Sequence, residues 1–201
     1  MKKSINEINL HIKNFLQTQN ECINEIQQNT HEIDEIIKMI ISARKNRKTI
    51  FTMGNGGSGS TASHFVSDLQ KTVIVKNENR IKAISLVDNM PVILAWSNDV
   101  SFDKIFEEQL KNQVEKNDIV IAFSGSGKSK NIINALKIAK KMGAKCIGFT
   151  GKTGGSFNPI CDITFKVPSN DMLTIESQHI TICHCIASTI RNLGKPMFEY
   201  D

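Results

Sequence analysis

After residue 48 the sequence alternates short apolar runs with segments of helical spacing, and this alternation limits the possible folds more than any other feature. The runs are rich in β-branched and aromatic residues, as buried strands are. Five of them occur, at 49–53, 81–87, 118–123, 145–149 and 163–167. Strands that alternate with helices of about ten to fifteen residues form βαβ units. The sequence therefore predicts a doubly wound α/β domain with a five-stranded parallel sheet, ending in a helix over about 173–193.

Residues 1–47 have the spacing of helices, with apolar residues recurring every three or four positions in two stripes. The stripes consist of Ile5, Ile8, Ile12, Phe15 and Leu16, and of Ile23, Ile26, Ile33, Ile36, Ile37 and Ile40. A break between two helices is expected at the polar stretch 18–20. Because both stripes are more apolar than a solvated helix requires, we expect them to pack on the core domain or on another subunit. This predicts an oligomerisation segment at 1–47 and a ligand-binding domain at 48–201.

The composition excludes several classes of protein. The net charge is +5, from 25 basic and 20 acidic residues. Because the basic residues are scattered along the chain, nucleic acid is not the first interpretation, and a small anionic ligand suits the charge equally well. No apolar run reaches the roughly 18 residues of a membrane span, and the polar start of the chain has no signal-peptide core. The five cysteines are an odd number in a chain that needs no disulfides, which predicts the reducing cytoplasm.

A glycine-rich loop at 54–60 follows the first apolar run and precedes a helix. Its glycines allow a ligand to approach the backbone closely, and amides at a helix N-terminus favour an anion. Gly54, Gly56 and Gly59 also satisfy the dinucleotide pattern G-x-G-x-x-G. That pattern needs an acidic residue about 20 positions later, but Asp68 comes too early and Asp88 too late. The sequence therefore disfavours a dinucleotide site here.

A serine-rich loop at 124–129 follows the third apolar run and also precedes a helix. It has the end of a Walker A loop, but the glycine required earlier in that motif is replaced by Ala122, so the spacing excludes it. Serines at such a position are often no more than helix caps. Three hydroxyls, of Ser124, Ser126 and Ser129, with Gly125 and a lysine at one helix N-terminus favour a phosphate site over caps.

Two pairs of metal-ligating residue types lie on predicted helices. His64 and Asp68 are four positions apart, hence on one face, and Glu176 and His184 belong to the last helix. Two imidazoles and two carboxylates suit Zn²⁺, or equally a general base and acid. Residues eight apart are separated by about 12 Å along a helix, so Glu176 and His184 share one ion only if their side chains lean together or Glu176 precedes the first turn.

These residues together resemble the sugar isomerase (SIS) domain family, and within it the phosphoheptose isomerases. The motifs that carry the resemblance are 54–58, 63–69, 97–99, 102–106, 124–129, 150–155 and the residues from Ile175 to His184. They occur in the family's order, and the N-terminal helices also fit, so the resemblance covers nearly the whole chain.

The resemblance implies a flavodoxin-like core and a cytoplasmic homotetramer with the N-terminal helices at the interface and active sites between subunits. It implies one Zn²⁺ per subunit and conversion of sedoheptulose 7-phosphate to D-glycero-D-manno-heptose 7-phosphate for surface polysaccharide. The implied sugar contacts are Asn55, Gly56, Gly57, Ser58, Asn98, Asp99 and Glu176. The implied phosphate contacts are Ser124, Gly125, Ser126 and Ser129. The implied metal ligands are His64, Asp68, Glu176 and His184, with Asp68 or Glu176 as base and His184 as acid.

Three positions depart from the family's pattern. The family generally has Glu where this chain has Asp68, Gln where it has Glu176, and Asp where it has Leu173. Two other functions therefore stay open beside the phosphoheptose reaction. One is a SIS-domain protein that binds a phosphosugar or regulates without catalysis, including a type that associates with a replication initiator. The other is an isomerase for a different phosphosugar.

Overall fold

The computed structural model describes residues 5–199, which form one α/β unit. The helices are α1 (Ile5–Gln28), α2 (His31–Lys45), α3 (Gly57–Ser67), α4 (Met90–Asp99), α5 (Glu107–Gln113), α6 (Lys130–Lys141) and α7 (Met172–Asn192). A π-helical turn (Asp68–Thr72) extends α3, and a 3₁₀ turn (Phe102–Lys104) precedes α5. The strands are β1 (Thr49–Gly54), β2 (Lys82–Ser85), β3 (Ile119–Phe123), β4 (Lys145–Thr150) and β5 (Ile163–Lys166). These are the five strands and the final helix that the sequence predicts.

The strands form one parallel sheet in the order β2-β1-β3-β4-β5, which confirms the predicted fold class. In this order the chain leaves β1 toward one edge of the sheet and later crosses back to add β3 on the other side of β1. The loops after β1 and β3 therefore diverge and leave a crevice at the carboxyl ends of these strands, where open α/β sheets bind their ligands.

Both faces of the sheet are covered, because the strands are apolar on both sides. In β3, Ile119, Ile121 and Phe123 pack with α2, α3 and α7, whereas Val120 and Ala122 pack with the helices of the opposite face. All five of these side chains are buried. A strand that is apolar at every position is typical of the centre of a parallel sheet.

The prediction of a helix break at 18–20 is wrong, since α1 is continuous and the break lies at Asn29–Thr30. The polar residues are accommodated by a contact with α7. Gln19 donates from Nε2 to the Thr174 hydroxyl at 2.9 Å, and Gln178 donates from Nε2 to Gln19 Oε1 at 3.0 Å. With no glycine or proline in this stretch, nothing ends the helix, and its polar side chains serve as a docking contact.

The first half of α1 presents an exposed apolar face, whereas its second half packs on α7. The exposed residues are Ile5, Ile8, Leu10, Ile12, Phe15 and Leu16. Toward the C-terminus of α1, Cys22 and Ile26 are buried in the same core as α2 and α7. Within one chain, the predicted second stripe thus has its partner, and the first stripe is left uncovered.

Residues 5–199 contain no helix that is long and apolar enough to cross a membrane. All five cysteines are free thiols. Burial raises the pKa of Cys146 and of Cys161 to about 12, so both stay protonated near neutral pH. Such thiols behave as small packing residues.

Candidate active site

The glycine loop after β1 is shaped by two close approaches. A side chain at Gly54 would meet the carbonyl of Ser58 at 2.3 Å, which would obstruct the turn into α3. At Gly57 an added Cβ would lie 2.3 Å from Oε2 of Glu176. The carboxylate of Glu176 therefore lies against the first residue of α3, an end of a helix that favours negative charge. Glu176 and the predicted sugar contacts Gly56 and Gly57 are thus brought together.

The serine loop after β3 brings its three hydroxyls together. The Oγ atom of Ser124 lies 3.5 Å from that of Ser126 and 3.4 Å from that of Ser129. Ser129 occupies the N-cap position of α6, yet its side chain makes no capping hydrogen bond. A serine that served only as a cap would accept a hydrogen bond from a backbone amide of the first turn. The three hydroxyls instead point toward one another, which is the arrangement expected of hydrogen-bond donors that bind one anion.

Two asparagines join the glycine loop to the helix that follows the serine loop. Asn55 donates from Nδ2 to Asn131 Oδ1 at 3.0 Å, and Asn131 donates in return to Asn55 Oδ1 at 2.8 Å. Asn131 is buried, and its Oδ1 also accepts from the amide of Ile132. Sequence reasoning missed Asn131, because no local pattern distinguishes it from a surface asparagine of α6.

Two histidines and one aspartate meet where α3 and its π-helical extension contact α7. Nε2 of His64 and Nε2 of His184 are 3.0 Å apart. Oδ2 of Asp68 lies 3.6 Å from the first nitrogen and 3.8 Å from the second. Both imidazoles are about half exposed, whereas the Asp68 side chain is only 13% exposed. Three ligands of two types, from α3 with its π-helical extension and from α7, thus converge.

The carboxylate of Asp68 is held at one oxygen and left without a hydrogen bond at the other. Its Oδ1 accepts from the Thr72 hydroxyl at 2.9 Å, one turn further on in the π-helical segment. Its Oδ2 is buried and has no hydrogen-bond partner among the described residues. A buried anionic oxygen without a partner is costly, unless a cation completes its surroundings.

The His64–Asp68–His184 group fits a small cation such as Zn²⁺. The three ligand atoms lie within 4.8 Å of one another. Bonds of about 2.0–2.2 Å from Zn²⁺ to nitrogen or oxygen place neighbouring ligands about 3–4 Å apart, which matches the observed separations. The orphaned Oδ2 of Asp68 faces the space between the imidazoles and would gain its missing partner. Three protein ligands with an open position are the usual arrangement in catalytic zinc sites.

The structure does not bring Glu176 into this group. Because α7 is continuous from Met172, the eight residues between Glu176 and His184 separate them by about 12 Å along the helix axis. Glu176 therefore lies at the glycine loop, and His184 lies beside His64 and Asp68. The two carboxylates predicted to share one ion occupy two different places in the crevice.

Comparisons with known proteins identify the family of the chain. The model of the SIS domain family matches residues 14–151. The chain belongs to this family. A phosphoheptose isomerase of Aliarcobacter butzleri is 38% identical over 182 residues, which are 90% of this chain and 95% of that protein. The phosphoheptose isomerase of Campylobacter concisus is 34% identical over 180 residues, or 89% of this chain and 94% of its own.

Solved structures of SIS-domain relatives have the same fold. A phosphoheptose isomerase from Francisella tularensis matches with a TM-score of 0.84 and 29% identity, covering 94% of this chain and 99% of the other. The phosphoheptose isomerase from Neisseria gonorrhoeae matches with a TM-score of 0.85 and 23% identity, covering 92% and 99%. The resemblance seen in the sequence is therefore confirmed.

A cavity of about 580 Å³ opens in this SIS domain between the glycine loop, α3 and the 3₁₀ turn. It is lined by Asn55, Gly56 and His64 among the predicted site residues. Asn98 and Asp99 do not line it, since they lie at the exposed C-terminal end of α4, where Asn98 donates to Asp99 Oδ1 at 2.8 Å. Within one chain, three of the predicted site residues thus line this cavity, and Asn98 and Asp99 lie apart from it.

A second cavity, of about 650 Å³, lies at the opposite end of the sheet. Lys48, Asn117 and Lys145 line it at the amino ends of the strands. None of the predicted site residues contributes to it. We therefore place the candidate site in the crevice at the carboxyl ends, where the loops and the ligand groups converge.

His179 lies close to the site in sequence but is not part of it. It is fully buried between Phe123 and Phe149, and its Nε2 donates to the Thr150 carbonyl at 3.3 Å. Burial lowers the pKa of this imidazole to about 4, so it is neutral near pH 7. His179 therefore stabilises the packing of α7 on the sheet.

Proposed function

We propose that this protein is a phosphosugar isomerase that converts sedoheptulose 7-phosphate to D-glycero-D-manno-heptose 7-phosphate. The observation that carries the proposal is that one chain of the SIS domain family holds both the converged serine hydroxyls and the His64–Asp68–His184 group. The close relatives that cover nearly the whole chain are named phosphoheptose isomerases. A phosphate anchor and a set of acid–base and metal-ligating groups are what such a reaction needs.

The serine loop is proposed to hold the phosphate. Hydroxyls of Ser124, Ser126 and Ser129 donate to its oxygens, and the N-terminus of α6 supports the negative charge. A glycine is needed at Gly125, because a side chain there would lie 2.4 Å from the sulfur of Met172. The sugar chain then runs from this anchor toward the glycine loop.

The reaction moves a proton between adjacent carbons of the sugar. A base removes the proton from C1 of the ketose, an enediol forms, and a proton is returned at C2 while the hydroxyl proton passes from one oxygen to the other. Glu176 is the carboxylate that stands apart from the proposed metal ligands, at the glycine loop predicted to contact the sugar, so its oxygens are available as the base. His184, paired with His64, lies about 12 Å from Glu176 along α7, so polarisation of the sugar oxygens beside Glu176 is assigned to the His64–His184 pair of a neighbouring subunit.

Zn²⁺, one per subunit, is proposed to bind His64, Asp68 and His184 and would supply an electrophile for the developing oxyanion. The imidazole nitrogens 3.0 Å apart and the orphaned Asp68 oxygen support this assignment. Glu176 was also expected among the metal ligands, but its place at Gly57 favours the sugar instead.

Assembly and cellular context complete the proposal. The exposed apolar face of α1 supports a homo-oligomer, proposed to be a tetramer, in which a neighbouring subunit covers that face and brings Asn98 and Asp99 into the site. Five free thiols support a cytoplasmic location. The product would supply heptose for surface polysaccharide.

The test is an NMR assay of the purified protein with a panel of pentose, hexose and heptose phosphates. Conversion of sedoheptulose 7-phosphate that is lost with a chelator and restored by Zn²⁺ is the expected result. Conversion of another ketose phosphate alone would identify a different phosphosugar isomerase. Binding of phosphosugars without turnover, with or without metal, would identify the non-catalytic regulatory alternative.

A further inference from the structure

We propose that Thr72 and Arg191 are positioning residues that hold the Asp68 carboxylate in the orientation needed beside His64 and His184. This inference rests on the proposed metal site, and it concerns residues to which no role is assigned above. The contacts that carry it form a continuous path from the last turns of α7 to one oxygen of Asp68.

The path begins at the π-helical turn. The Thr72 hydroxyl donates to Asp68 Oδ1 at 2.9 Å, four residues back along the same turn. With Oδ1 fixed, the second oxygen is directed toward the two imidazoles, 3.6 Å from His64 Nε2 and 3.8 Å from His184 Nε2. An aspartate carboxylate without the Thr72 contact could rotate about its terminal bond, because such torsions are broad.

Arg191 connects this turn to the helix that carries His184. The two residues are seven positions apart on α7, about two turns, and hence on nearly the same face. Nη1 of Arg191 donates to the carbonyl of Thr72 at 3.3 Å. The guanidinium thus fixes the backbone of Thr72 relative to α7, and the Thr72 hydroxyl passes that constraint on to Asp68.

The C-terminal segment holds Arg191 from the other side. Nη2 of Arg191 donates to the carbonyl of Phe198, and the guanidinium carbon lies 5.2 Å from the centre of the Phe198 ring. This segment is itself anchored by backbone hydrogen bonds from Lys76 to Lys195 and from Met197 to Ile74. A planar guanidinium can donate to two carbonyls in a fixed fork, which a lysine cannot do.

The four side chains of the path share one small cavity. Asp68, Thr72, His184 and Arg191 line a space of about 410 Å³ on the outer side of the proposed ligand group. The serine loop does not contribute to its lining. Loss of the Thr72 or Arg191 contacts should therefore weaken Zn²⁺ binding and slow the chemical step, while the phosphate site at the serine loop stays intact.

The experiment compares Thr72→Val, which keeps the shape and loses the hydroxyl, with Thr72→Ser, which keeps the hydroxyl. Zn²⁺ affinity is measured on the metal-free protein by competition with a chromophoric chelator, and kcat and KM are measured separately. We expect Thr72→Val to lower Zn²⁺ affinity about 10- to 100-fold and to lower kcat with KM unchanged, since residues that orient ligands have effects of this size. Thr72→Ser should retain the wild-type values.

Arg191→Lys is the second variant, which remains informative if Thr72→Val does not fold. It should lower Zn²⁺ affinity and kcat in the same sense, without a change in KM. Wild-type affinity and kcat in both Thr72→Val and Arg191→Lys would overturn the inference, as would equal losses in Thr72→Val and Thr72→Ser. If the wild-type protein binds no Zn²⁺, the proposed metal is wrong, and the split between kcat and KM in Thr72→Val alone decides the positioning role.

Discussion

Removal of two hydroxyls from the serine loop, in Ser126→Ala with Ser129→Ala, tests the phosphate anchor most directly. Ser129 makes no capping hydrogen bond in α6, so its loss should not shorten that helix. Ser126 Oγ accepts from the Lys128 amide at 3.2 Å in an exposed turn, where water can replace it. The double variant should therefore fold normally, with a melting temperature close to that of the wild type.

The loss of affinity follows from the hydrogen bonds removed. Each hydroxyl that donates to a phosphate oxygen contributes about 1.5–3 kcal/mol, which corresponds to about 10- to 150-fold in Kd. Both hydroxyls lie within 3.5 Å of Ser124 Oγ, so their effects are coupled and the double loss need not equal the sum. We expect the double variant to bind any sugar phosphate at least about 100-fold more weakly.

Isothermal titration calorimetry with sedoheptulose 7-phosphate measures this loss. Ser42→Ala is a matched control, because Ser42 is an exposed serine near the C-terminus of α2, at the opposite end of the sheet. The control should bind with the wild-type Kd. Wild-type affinity in the double variant would show that the loop is a structural turn, and the phosphate assignment would be withdrawn.

Three further outcomes are expected. Gly57→Ala places a methyl 2.3 Å from Oε2 of Glu176, and because a flexible side chain can swing away, kcat should fall about 100-fold with little change in melting temperature. Burial lowers the pKa of His179 to about 4, so between pH 7 and pH 5 this imidazole takes up a proton in the unfolded chain and not in the folded one. The free energy of unfolding should therefore fall by about 2 kcal/mol over that range, and urea titrations of His179→Gln should show a fall smaller by that amount. Ile12→Asp with Phe15→Asp on the exposed face of α1 should convert the proposed oligomer to single chains in sedimentation, and an oligomer of wild-type size in this variant would exclude that face as the interface.

The sheet and the final helix could be predicted because the spacing of their apolar residues is a local feature of the sequence. The five runs became five strands whose bounds differ from the prediction by a few residues at most. The break at 18–20 was predicted from the polarity of these residues, although glutamine is a good helix former. The sequence did not show that Gln19 is polar because it contacts Thr174 and Gln178. Those partners are more than 150 positions away in the chain.

The candidate site, too, could be predicted where it depends on local pattern and not where it depends on contacts between distant elements. His64 and Asp68 were found from their spacing on one helix, and His184 from its residue type on another. The separation of Glu176 from this group follows from the eight-residue spacing, which the sequence already gives. The position of Glu176 against Gly57 could not be predicted in that way. Asn131 and Arg191 act through contacts between elements distant in sequence, for which a single sequence has no local signal.

The pairing of α1 with α7 has a consequence for the order in which the protein is made. Among the described residues, the hydrogen-bond partners of Gln19 lie on α7, which is synthesised after the other helices of residues 5–199. Until residues 172–192 have been synthesised, α1 has neither this contact nor the core into which Cys22 and Ile26 pack. The apolar face of α1 therefore has no fixed position until α7 has been synthesised. Assembly through this face, as proposed, is expected to follow the synthesis of α7, the stage at which His184 first meets His64.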